Sequence, residues 1–232
     1  MSMPFYVAPE QMMKDRADFA RKGIARGRPL VAIEHVDGVV FVAENPSRSL
    51  HKTSEIYDRI AFAAVGRYNE FESLRVAGIR LADLKGYQYS REDVSAKPLA
   101  TAYSQALGTI FMGDTKPYEV ELLIAQAGPI EDGGARLDLF HILYDGSLVD
   151  EHHTVAIGGD SEPLTAALAE AWRPGMDRDQ AVRLGARTLA SNGARSLPAE
   201  ALEVSGLDAR RARRSFFRLG LDEVAAVLAQ DG

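Results

Sequence analysis

The sequence predicts an α+β fold in which two antiparallel sheets lie between two helical layers. Three observations carry this expectation. Strand-like runs come in blocks, helical patterns come in pairs between the blocks, and Asp37-Gly38 and Asp145-Gly146 supply hairpin turns. The chain has 232 residues, 46% hydrophobic and 26% charged, too apolar a mixture for a disordered protein. No internal repeat, linker or low-complexity stretch divides it. A mobile arm over residues 1–8 and a single domain over 9–232 are the simplest organisation.

The arm holds Pro4 and bulky Phe5 and Tyr6 without periodicity. Pro9 then suits the first turn of a helix, where a missing N–H loses no hydrogen bond. Met13, Ala17, Ala20 and Ile24 recur at helical spacing, with Met12 and Phe19 widening the stripe. Gly23 is a plausible C-terminal cap after Arg21 and Lys22. This stripe precedes the first strand and must be buried against its own domain or a neighbouring chain.

Leu30 to Val36 and Val39 to Ala43 flank the first Asp-Gly turn. Both runs are largely apolar, so their sheet should be covered on both faces. Ile60 to Val65 reads as a further strand. Phe71, Leu74, Gly78 and Leu81 mark a helix. Ser95 is a candidate N-cap for the next, with Pro98 tolerable in its first turn. Strands resume at Tyr118 to Ala125 and Arg136 to Leu143, with Gly128-Pro129 and Gly133-Gly134 placed in the turn between them. Leu148-Val149 and His153 to Ile157 follow. A helix spans Glu162 to Trp172, and another starts at Asp177, whose pairing with Gln180 makes a capping box, and ends near Gly193. Ala201 to Leu207 and Ser215 to Leu219 form a last strand pair before a helix over Asp222 to Gln230.

Composition removes several function classes. The chain has no cysteine, which excludes disulfides, thiolate catalysis and Cys-ligated zinc. No apolar run approaches the ~20 residues that span a bilayer. The N-terminus lacks the basic and apolar segments of a secretory signal. A cytoplasmic protein fits these features. A net charge of −6 argues against nucleic acid as the main partner. No cofactor is called for. Asp150-Glu151-His152-His153 is read as the polar start of a strand rather than a metal site, because alternate side chains face opposite ways. Gly158-Gly159-Asp160 lacks the spacing of a phosphate loop and is read as a strand-to-helix turn. Arg210-Arg211-Ala212-Arg213-Arg214 lies between two strands without interleaved aromatics. An exposed turn or a contact with acidic protein is favoured over nucleic-acid binding. Trp172 is assigned to the core.

The order of elements matches the four-layer αββα plan of the N-terminal-nucleophile hydrolases, with an extra N-terminal helix. The chain also resembles the actinobacterial proteasome α subunits along essentially its whole length. The stretches that carry this are Ala8-Pro9-Glu10-Gln11, Ala20 to Arg26, Phe41 to Leu50, Leu107 to Phe111, and Lys116 to Glu121. Thr53 departs from the family, where isoleucine is common.

The resemblance implies a subunit that does not itself cleave peptides. Catalytic members open the first strand with a threonine, activated by its own amine and a lysine that an acidic residue supports. Here the nucleophile position falls at Arg28, after Gly27, the acid at Glu44 and the lysine at Lys52. Arginine cannot do this chemistry. The nearest hydroxyls in sequence, Ser47 and Ser49, lie in a loop, and trimming before Arg28 would expose only arginine. The resemblance further implies a homo-heptameric α ring on rings of threonine-type β subunits. Lys52 would pair with the C-terminal carboxylate of a ring-shaped AAA ATPase activator. Ser2, Met3, Pro4, Phe5, Tyr6, Val7 and Ala8 would converge at the ring axis to gate protein substrates. In actinobacteria those substrates carry a ubiquitin-like tag. The rival readings are an active N-terminal-nucleophile hydrolase with an unrecognised nucleophile, and a stand-alone binding module that uses the arginine cluster.

Overall fold

The computed structural model describes residues 8–113, 116–131, 134–191 and 197–230. Ser2 to Val7 of the expected arm lie outside the described residues, and Ala8 is exposed. Helix α1 (Pro9–Ala25) leads into the hairpin β1 (Leu30–His35) and β2 (Gly38–Glu44), then β3 (Thr53–Tyr57) and β4 (Ile60–Gly66). Helices α2 (Tyr68–Gln88) and α3 (Ala96–Met112) follow, then β5 (Val120–Glu131), β6 (Gly134–Ile142), β7 (Leu148–Glu151) and β8 (Thr154–Ile157). Helices α4 (Ser161–Ala171) and α5 (Arg178–Ser191), strands β9 (Leu202–Asp208) and β10 (Phe216–Arg218), and helix α6 (Leu221–Ala229) complete the chain.

The strands form two five-stranded sheets, ordered β10-β9-β2-β1-β8 and β3-β4-β5-β6-β7, with antiparallel neighbours throughout. Apolar side chains then form three layers of core. Leu30, Ala32, Phe41, Ala63, Leu123 and Ile157 pack between the sheets. Ile60, Phe62, Phe71, Leu99 and Tyr103 join the second sheet to α2 and α3. Val31, Val40, Leu168, Val182 and Val224 join the first sheet to α4, α5 and α6. Both sheets are therefore covered on both faces, as the unbroken apolar runs require. Each fully buried Leu, Ile or Phe stabilises the fold by about 1.5–3 kcal/mol. No helix among the described residues is long and apolar enough to cross a membrane.

The stripe of α1 divides. Ala20 and Ile24 are buried in the core between the sheets, with Ala17 beside them, whereas Met12 and Phe19 stay exposed. Arg16 fixes the helix by donating to the carbonyls of Phe111 at 2.8 Å and Ile110 at 3.1 Å, the negative end of α3. Arg59 binds the opposite part of the sandwich. Its guanidinium donates to Ala127 and Gly128 on β5 at 2.6 and 2.8 Å, and to Ala209 and Arg211 beyond β9.

Several local expectations are corrected. Gly23 lies inside α1, not at its end: a Cβ there would meet Glu119 Cγ at 2.5 Å, so the glycine makes room for a buried carboxylate. Gly128-Pro129 belongs to β5, where the register shifts between Ala127 and Ile130, so the proline sits at a bulge. Ser95 occupies the N-cap position of α3 without a side-chain cap; Gln126 Oε1 accepts from Ala96 N at 2.6 Å instead. Strand β3 has no long apolar run and escapes the strand pattern. His153 is not in β8 but in a left-handed turn, φ 64°, where the chain crosses from one sheet to the other. Trp172 is half-buried rather than core; it stacks on His153 and donates to Glu34 O at 3.0 Å. The capping box of α5 forms, with Gln180 N donating to Asp177 Oδ1 at 2.8 Å and Asp177 N to Gln180 Oε1 at 2.9 Å.

Gly23→Ala should lower stability by about 1–3 kcal/mol by pushing the Glu119 side chain out of place. Chemical unfolding of the full chain measures this, and an unchanged midpoint would contradict the close contact.

Candidate functional site

Pairing of β1 with β2 sets Arg28 beside Glu44, and the loop leading into β3 of the second sheet brings Lys52 against them. Arg28 lies two residues ahead of β1, Glu44 ends β2, and Lys52 immediately precedes β3. Arg28 Nη1 lies 2.5 Å from Glu44 Oε1, and Lys52 Nζ donates to the Arg28 carbonyl at 2.5 Å. The acid is thus held by arginine, and the lysine rests on a backbone oxygen. Glu44 is buried, Arg28 is about half exposed at 51% of its side chain, and Lys52 is half-buried. Burial lowers the Lys52 pKa to about 8; the Arg28 charge adds to the lowering, while Glu203 and Glu44 oppose it. At neutral pH the group remains a cation.

Beneath Lys52 lies a carboxylate that sequence reasoning missed. Glu203, on β9, is 7% exposed. Its Oε2 accepts from Asn45 Nδ2 at 2.7 Å and Lys52 N at 3.0 Å. Its Oε1 accepts from Thr53 N at 3.1 Å, Thr53 Oγ1 at 2.5 Å and Arg218 Nη1 at 2.5 Å. Burial alone would raise its pKa, but these donors favour the ionised form and the net shift is downward. Thr53 is therefore a structural participant: its hydroxyl also accepts from Ser205 Oγ at 2.7 Å. The available sequence signal was a Glu and a Ser alternating within the apolar run Leu202 to Leu207.

No hydroxyl stands at Arg28. Thr53 and Ser205 are 1% and 0% exposed, and their hydroxyls are taken up by the Glu203 network. Ser47 Oγ accepts from Leu50 N at 3.1 Å within its loop, and Ser49 is exposed.

The other polar constellations have local partners. Asp150 and Glu151 end β7 rather than starting a strand, so that expectation is corrected; Glu151 Oε1 lies 3.3 Å from His141 Nδ1. His153 Nδ1 lies 2.8 Å from Glu34 Oε2. Gly158 and Gly159 form a left-handed turn before α4, and Gly158 N donates to Glu121 Oε2 at 3.0 Å. The arginine cluster pairs within the chain. Arg210 meets Asp208 and Asp37, Arg211 donates to Phe216 O, Arg213 lies 3.9 Å from Asp58, and Arg214 pairs with Glu55. Its acidic partners are Asp37 and Asp58 in the β1–β2 and β3–β4 turns, Glu55 in β3 and Asp208 at the end of β9.

This two-sheet sandwich, with its strand-leading Arg28 and its lysine and acid alongside, is of the N-terminal-nucleophile hydrolase type. A family model described as proteasome subunit matches residues 24–202. The chain belongs to the proteasome subunit family. It is 52% identical to the proteasome subunit alpha of Kineococcus radiotolerans, covering 100% of both chains. It is 54% identical to that of Thermomonospora curvata, covering 99% of each, and 54% identical to that of Sanguibacter keddieii, covering 97% of this chain and 90% of the relative.

Trace acetylation of the full chain across neutral to alkaline pH should show the Lys52 amine losing its proton with a midpoint near about 8. The charge is present below that pH and lost above it. A midpoint in the ordinary lysine range would contradict a half-buried ammonium.

Proposed function

We propose that the chain is the non-catalytic α subunit of a cytoplasmic proteasome core. Homo-heptameric rings of it cap rings of β subunits that hydrolyse peptides by a threonine nucleophile. It gates the access of protein substrates, in this lineage those tagged with a ubiquitin-like protein, and docks a ring-shaped AAA ATPase. The observation that carries this reading is the occupation of the nucleophile position by Arg28, whose guanidinium also takes the supporting carboxylate of Glu44. Such a site has an acid and a lysine but nothing to attack a peptide bond.

The same geometry supports the docking role of Lys52. Its ammonium donates to a carbonyl, and among the described residues no carboxylate pairs with it directly. A partner's C-terminal carboxylate supplies the missing counter-charge, and partial burial strengthens that attraction. Ser2 to Ala8 form the gate. The exposed Met12 and Phe19 on α1 serve the contact with neighbouring subunits in the assembled particle.

The test is co-expression with a β-type subunit from the same source. Native mass spectrometry should give heptamer-based particles with both chains in equal number. A small oligomer that ignores the β chain, or peptide hydrolysis by the freshly purified chain alone, would overturn the reading in favour of an active hydrolase. Within the particle, Lys52→Ala should abolish stimulation by the ring ATPase of the same source and leave assembly intact. Persistent stimulation removes the docking assignment. Deleting Ser2 to Ala8 should raise basal peptide hydrolysis, and an unchanged basal rate argues against the gate.

A further inference from the structure

We propose that Glu203 is the positioning residue of the Lys52 site, fixing where the ammonium points and supplying the negative charge that sustains it. The inference rests on the docking reading of Lys52 and adds the residue through which that site is built. Three contacts hold Lys52. Its carbonyl accepts from Ala64 N on β4, in the second sheet, at 2.9 Å. Its amide donates to Glu203 Oε2 on β9, in the first sheet, at 3.0 Å. Its Nζ donates to Arg28 O, just ahead of β1, at 2.5 Å. The residue therefore bridges the two sheets, and Glu203 holds the first-sheet side of that bridge at the backbone.

The same carboxylate binds the next amide, Thr53 N, and the Asn45 side chain at the start of the β2–β3 connection. Both ends of the loop that carries Lys52 are tied to one side chain. A loop so held presents its lysine in one place, which lowers the ordering cost of capturing a partner.

The charged groups acting on Lys52 are Glu203 and Glu44, which favour the ammonium, and Arg28, which opposes it. Arg218 Nη1 lies 2.5 Å and His51 Nδ1 3.7 Å from Glu203 Oε1, on the carboxylate oxygen that does not bind the Lys52 amide. Of the two acids, Glu203 supports the charge more strongly than Glu44.

The test uses the assembled particle with its β partner. Glu203→Gln keeps the shape and removes the charge. Trace acetylation should then show the Lys52 midpoint falling below about 8 by about one unit or more. A midpoint one unit lower leaves about half of the amines charged at about pH 7, so stimulation by the ring ATPase at neutral pH should fall about twofold or more. A midpoint that stays put, or that rises towards the ordinary lysine value, overturns the proposal, because loss of a merely structural contact would expose the amine and raise it. Should the Gln variant not assemble, Glu203→Asp retains the charge and draws it back by one methylene. Its Lys52 midpoint should stay nearer the native one while stimulation falls, and native-level stimulation overturns the positioning role. If Lys52→Ala leaves stimulation intact, the docking reading fails, whereas the Lys52 midpoint in Glu203→Gln still decides whether Glu203 sustains the ammonium.

Discussion

The architecture around Arg28, Glu44 and Lys52 depends on one buried carboxylate. Glu203 sits on β9 with its charge satisfied by Asn45, Lys52, Thr53 and Arg218, residues drawn from the β2–β3 connection, the start of β3 and β10. An isolated carboxylate at such burial would carry a desolvation cost of several kcal/mol. Five donors offset it, and the outcome is specific geometry rather than added hydrophobic stability. Lys52 inherits its place from this arrangement, and so does Thr53, whose hydroxyl gives the network a donor that isoleucine lacks.

The two ends of the sandwich are closed by different chemistry. At the end that holds Arg28, α1 inserts Ala20 and Ile24 into the inter-sheet core, and Arg16 secures it to the last carbonyls of α3. At the other, polar stitching replaces apolar burial. Arg59 reaches carbonyls of β5 and of the turn beyond β9, and that β9–β10 turn pairs its arginines with Asp37, Glu55, Asp58 and Asp208. These acids pair with the exposed basic cluster locally. Exposed ion pairs of this kind contribute little singly. Their combined effect is to fix the orientation of one sheet's turns on the other's.

Much of the architecture was legible because its signals are local. The Asp37-Gly38 turn, the apolar runs of β1 and β2, the paired helices and the Asp177–Gln180 capping box all follow from nearest-neighbour chemistry. The failures have one physical source, which is that partners distant in sequence decide them. Gly23 reads as a helix terminator until Glu119 is seen against it. Gly128-Pro129 reads as a turn until the bulge in β5 absorbs it. Strand β3 is short and mixed, and it is defined by pairing with β4 rather than by its own pattern. For the site, the resemblance named Arg28, Glu44 and Lys52, and the fold brings them together. Glu203 and Arg218 stayed hidden because a glutamate or an arginine in a strand announces nothing about its partners.

The placement of Glu203 also imposes an order on the life of the chain. During synthesis from the N-terminus, Lys52 leaves the ribosome early, with β1, β2 and the second sheet. The carboxylate that anchors it and the arginine that steadies that carboxylate arrive only with β9 and β10, near the other terminus. A nascent chain that stops at residue 200 already carries the lysine with its contacts to Ala64 and Arg28, yet it lacks the carboxylate that ties both ends of the loop. The finished site is consequently a certificate of completion: a partner that requires Lys52 in its final geometry recognises whole subunits and passes over unfinished ones.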